Sequence, residues 1–181
     1  MADQSLIDNR PVIAFASEAT WLRRLGRLGY VGAAWLFLVL IPLQFFFAGT
    51  GIFSTTGFSL HTYLGLVLHV LSGVLIVVAA LGRLPRRALE YGVLQFILIG
   101  LQVVLVRISS PSATVSIEPQ LMSNLITAAL QPIHNMLGNS AGLVASLHAV
   151  NGLAISAVAV LTAMYARKLT KAGRADHQPL G

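Results

Sequence analysis

Residues 58–81 read FSLHTYLGLVLHVLSGVLIVVAAL, an unbroken run without a charged side chain. A helix rises about 1.5 Å per residue and the hydrocarbon core of a bilayer is about 30 Å thick, so about 20 apolar residues cross it. This run is long enough, and it carries two histidines where ionisable groups are costly and rare. Working outward, similar runs occur at about 30–48, 88–106 and 141–166. The spacing therefore predicts four membrane spans. Glu90 is the one charge within them, beside Arg86 and Arg87. It reads as an interfacial carboxylate paired with those arginines.

Composition supports a membrane protein. The chain has 181 residues, 10% of them charged and 56% hydrophobic, and its mean hydropathy is +0.78. A soluble domain carries about 25% charge. The net charge of +6 does not point to nucleic acid, because the basic residues sit in short segments between apolar runs. Arg23, Arg24 and Arg27 precede the first span, Arg83, Arg86 and Arg87 join the second to the third, and Arg167, Lys168, Lys171 and Arg174 follow the fourth. The positive-inside rule then puts both termini in the cytoplasm. Short links make neighbouring helices antiparallel. The expected fold is all-α: an integral membrane antiparallel four-helix bundle over 30–166, with a cytoplasmic segment at 1–29 and a basic tail at 167–181. The polar start lacks the apolar core of a secretory signal, so the first span is expected to act as its own insertion signal. With no cysteine, disulfides, thiolate metal sites and c-type haem attachment are excluded.

The outer loop, 107–140, is long for a link. Leu121, Met122, Leu125, Ile126 and Ala129 share one helical face. They predict an amphipathic helix over about 119–130, begun by Pro119 and ended by Pro132. Its role as a lid or as a surface segment on lipid is left open by the sequence.

Chemistry is concentrated in three histidines inside spans, each with glycine four residues on: His61 with Gly65, His69 with Gly73, His148 with Gly152. Positions i and i+4 share a helix face, so each imidazole has a bare strip of backbone beside it. A haem held between two histidines needs that arrangement. Counting inward to Arg83 and Arg167 offsets His61 from His148 by roughly 4 to 5 Å and His69 from His148 by roughly 7 to 8 Å. His61 and His148 are therefore the expected axial pair for haem b. His69 is expected as a neighbouring polar group, a proton relay or a quinone contact. Gln44, Gln102 and Asn151 lie at similar depth, and Gln102 or Asn151 is expected to hold a ligating histidine's free ring nitrogen.

Other readings of these residues are blander. Gln, Asn and His serve as interhelical glue, and glycine in a span allows close helix approach. His134 has Gly138 at the same spacing in the loop, so the spacing alone is weak. Zinc or copper wants three or four converging ligands. Met122, His134 and Met136 form a weak copper candidate, and His177 reads as solvated. No phosphate-binding loop, nucleophile elbow or paired intramembrane carboxylates occur in the sequence.

The second span, from His61-Thr-Tyr-Leu-Gly65 to Gly82-Arg83, resembles the histidine-bearing second helix of one half of haem A synthase. Leu101-Gln102-Val103-Val104 is similar to that family's glutamine-containing third helix, and Leu147-His148-Ala149-Val150-Asn151-Gly152-Leu153 to its last helix. The chain is also similar to small four-span bacterial membrane proteins, which share the stretch from Gln44 to Phe53 and both histidine helices. The synthase resemblance implies a four-helix bundle holding one b-type haem near the outer face, with His61 and His148 as ligands. Phe58, Ser59 and Leu60 stand where that family carries an acidic residue, and one half is present instead of two. Haem binding transfers better than haem-modifying chemistry.

The leading expectation is a small membrane b-type cytochrome or haem-binding subunit of the bacterial cytoplasmic membrane, engaged in electron transport. Its expected partners are the lipid bilayer, a quinone or a larger membrane complex, and a second copy of the chain. The rival is a haem-free accessory or assembly subunit of a respiratory complex. An enzyme of haem or quinone metabolism is the third reading.

Overall fold

The computed structural model describes residues 10–53, 57–109, 120–137 and 141–175, with side chains over 21–53, 57–108, 124–136 and 142–171. All regular structure among them is helical: α1 (Arg10–Phe53), α2 (Ser59–Leu81), α3 (Arg86–Ser109), α4 (Gln120–Leu137) and α5 (Ala141–Ala175). Four are long and apolar enough to cross a membrane: α1 from Trp21, α2, α3 to Ile108, and α5 from Gly142 to Lys171. Each of the four apolar runs lies within one of these helices. α1 extends far ahead of its span, so the segment before residue 30 is helical from Arg10 onward.

α1 lies against α2 and α5, and α3 lies against α2 and α5, which closes a four-helix ring. Cross-helix neighbours give the sense. Gln44 meets His61 at one end of α1–α2 and Gly26 meets Gly82 at the other. Gln102 meets His148 and Leu98 meets Asn151 along α3–α5. Both pairs are antiparallel. Alanine lines much of the interior: Ala33, Ala34, Ala79, Ala159, Ala163 and Ala166 are buried around Tyr30, Phe37 and Leu75. Small residues at a helix interface let backbones approach, which drives association where lipid removes the hydrophobic drive between helices. Large apolar side chains face outward on every span, among them Val39, Val70, Ile97 and Leu153. A helix that is apolar all round is a membrane or deep-core helix.

Polar contacts at the basic end include one within a helix and one between helices. Arg86 and Glu90 pair at 2.9 Å on the exposed face of α3, as the sequence predicts. Tyr30 is fully buried and its hydroxyl donates to the Ala88 carbonyl at 3.1 Å, tying α1 to α3. Tyr30→Phe is expected to cost about 0.6 kcal/mol, the average for an interhelical hydrogen bond in a membrane protein. Reversible unfolding in mixed detergent micelles measures it.

α4 differs from its expected extent. Pro132 lies inside the helix, which continues to Leu137. Proline removes one backbone hydrogen bond, and two side-chain contacts support the turn beyond it. Gln131 Nε2 donates to Asn135 Oδ1 at 2.9 Å, and His134 Nδ1 donates to the Ile108 carbonyl at 2.6 Å, fastening α4 to the end of α3. Pro119, the side chains of Leu121, Met122 and Arg174, and all of His177 lie outside the described residues.

Candidate functional site

The end of the bundle away from the arginine clusters, where Arg107 in the last turn of α3 is the one arginine or lysine of a described span, holds a polar layer to which all four spans contribute. α2 supplies His61 and α5 supplies His148, with ring centres 6.3 Å apart and planes inclined at 55°. Two imidazoles on opposite sides of one metal, at about 2.0–2.1 Å per metal–nitrogen bond, hold their ring centres about 6 Å apart. The structure thus brings the rings of His61 and His148 together from diagonal helices. His69 lies deeper, its ring 4.3 Å from that of Phe96 on α3.

The two histidines are held differently. His61 Nδ1 stands 3.1 Å from the backbone carbonyl of Gln44. A carbonyl only accepts, so Nδ1 carries the proton and Nε2 keeps its lone pair. That is the usual second hydrogen bond of a ligating histidine. The Gln44 side-chain nitrogen donates to the His61 carbonyl at 2.9 Å and lies 3.4 Å from His61 Nε2, the contact a ligand would replace. His148 Nδ1 is buried and has no hydrogen-bond partner among the described residues, as is Gln44 Oε1. Buried polar atoms ordinarily find partners.

Gln102 and Asn151 do not hold a ring nitrogen. Gln102 Nε2 donates to the backbone carbonyl of His148 at 2.9 Å. Asn151 Nδ2 donates to Gln102 Oε1 at 2.6 Å and to the Leu98 carbonyl at 2.8 Å. The glycines explain this geometry. A Cβ on Gly65 would stand 3.2 Å from the Gln44 amide nitrogen, and one on Gly152 would stand 3.6 Å from that of Gln102. Each bare strip beside a histidine admits an amide from the neighbouring helix, which reaches the histidine's main chain. Beside His69, a Cβ on Gly73 would meet the Phe96 ring at 3.9 Å.

Among the described residues no three His, Cys, Asp or Glu side chains gather to hold a metal ion. The copper candidate gains no support, since His134 Nδ1 is engaged with Ile108 and Met136 is largely exposed. One group went unremarked in the sequence. Gln95 on α3 is fully buried and neither atom of its amide has a partner among the described residues. A lone glutamine inside an apolar run was the available signal.

Residues 44–110 match a family of unknown function, DUF6220. The matched stretch starts at Gln44, takes in α2 and α3 with His61, His69 and Gln102, and ends before α4; His148 lies outside it. The match supports DUF6220 and no haem A synthase or other named family. No curated protein and no solved structure matches the chain.

Proposed function

We propose that the chain is a small membrane b-type cytochrome or haem-binding subunit, with His61 and His148 as axial ligands and electron transfer as its task. The proximity of the two imidazoles, with ring centres 6.3 Å apart from diagonal helices, carries the reading. A bare zinc or copper ion needs more ligands than this pair offers. Haem brings its own four nitrogens and asks the protein for two axial groups. With both axial positions filled, no open iron site remains, which favours electron transfer over oxygen chemistry. The His61 tautomer leaves the Nε2 lone pair to the Gln44 amide at 3.4 Å, a contact that a metal would have to replace, and His148, like His69, has a buried Nδ1 without a partner among the described residues.

In this reading the chain is similar to one half of haem A synthase in its haem-holding part. The basic ends of the spans face the cytoplasm of a bacterium, and a quinol or larger membrane complex supplies or accepts electrons. His69 serves beside the site and not as a ligand.

A haem-free accessory subunit is the second reading. The observation in its favour is that Gln44, Gln102 and Asn151 already bond to neighbouring helices, which is how polar residues act as interhelical glue. The visible spectrum of the full chain, purified in detergent from cells supplied with haem, separates the two. The cytochrome gives a Soret band that sharpens on reduction. A colourless preparation rejects it.

A further inference from the structure

The two hairpins α1–α2 and α3–α5 repeat one another. Leu40-Ile41-Pro42-Leu43-Gln44 on α1 corresponds to Leu98-Ile99-Gly100-Leu101-Gln102 on α3, with Leu, Ile, Leu and Gln shared. Leu60-His61 followed by Gly65 on α2 corresponds to Leu147-His148 followed by Gly152 on α5. The same offsets pair buried positions along the helices: Phe37 with Gln95, Ile41 with Ile99, Leu68 with Ile155, Leu75 with Thr162, and Ala79 with Ala166. The hydrogen bonds repeat as well. Gln44 Nε2 to the His61 carbonyl and Gln102 Nε2 to the His148 carbonyl are both 2.9 Å. The glutamine-to-histidine separation is 17 residues in the first hairpin and 46 in the second, and α4 occupies the extra length.

We infer that the bundle is two copies of one helical hairpin around a local two-fold axis, and that Gln44 and Gln102 are its paired positioning residues. Each grips the main chain of the histidine on its partner helix and so sets where the imidazole stands. The argument rests on the proposed function only in taking the histidine pair as the working centre. A ligand between the rings meets an imidazole on each side, although only His61 has its Nδ1 tied to a carbonyl. Two such donors suit a metal centre better than a ligand with two different ends. The repeat also separates His69 from the pair on grounds other than depth. Its counterpart in the second hairpin is Ser156, so it has no two-fold mate.

Nitrogen-15 NMR of histidine-labelled full chain in detergent tests the assignment, with Q44L and Q102L compared against the parent. Q44L is expected to move the ring signals of His61, and Q102L those of His148, while His69 stays unmoved in both. A variant that leaves its own histidine unmoved overturns the inference. So does one that shifts all three membrane histidines together, the mark of general loosening. Should Q102L fail to insert, Q102M replaces it; should Q44L fail, Gly65→Ala takes its place. Its new methyl displaces the Gln44 amide and must move the His61 signals alone. Haem uptake is read on the same samples. Localised shifts in a protein that takes no haem reject the cytochrome and leave the positioning role standing. Haem uptake without those shifts does the reverse.

Discussion

His61→Ala and His148→Ala, expressed in cells supplied with haem, are each expected to lose the low-spin spectrum, whereas His69→Ala keeps it. Even partners one bond removed from a metal cost about 10–100-fold in affinity when deleted. Loss of an axial ligand is expected to exceed the lower figure, and haem per protein in the purified variant measures it. The pattern matters as much as the size. His69 lies two helical turns further along α2, in a tilted contact with the Phe96 ring, so its removal leaves the His61–His148 pair in place. A normal low-spin spectrum in either of the first two variants removes the ligand assignment. Bleaching in His69→Ala alone moves it to another pair.

The second large effect belongs to the far end of the bundle. A Cβ on Gly26 would stand 2.3 Å from the Gly82 Cα, and one on Gly82 would stand 2.8 Å from the Gly26 Cα. Neither neighbour is a flexible side chain that can turn away. α1 and α2 would have to part, and overpacking of this kind costs about 1–3 kcal/mol or more. Gly32, less than two turns along the same helix, has open space where its Cβ would go. Alanine there gains helix propensity, about 0.5–1 kcal/mol. Gly26→Ala is therefore expected to destabilise the protein in detergent and Gly32→Ala to leave it unchanged or firmer. Equal behaviour of the two variants contradicts the close crossing.

The spans were legible because a bilayer demands length and apolarity, which a single sequence displays. Depth was legible too, since a helix converts residue number into distance, and it selected His61 with His148. Other features depend on where one helix stands against another, and no one helix encodes that. Gln102 and Asn151 had the right depth, yet they bond main chain and not a ring. The atom that does fix a histidine ring is a backbone carbonyl, that of Gln44, which carries no mark in the sequence. The glycines at i+4 were read as room for a flat ligand, and in the folded chain the amides of Gln44 and Gln102 stand against Gly65 and Gly152. Pro132 was read as a stop, but the contact from His134 to Ile108 holds the helix beyond it.

Both glutamine clamps close on carbonyl oxygens that every amino acid possesses. Neither clamp asks which side chain stands at 61 or 148. The imidazole at 61 adds a tie of its own, from Nδ1 to the Gln44 carbonyl, so exchanging it loosens α1 from α2 by one bond while the two clamps stay. Scaffold and chemistry are thus separable at 148 and partly shared at 61.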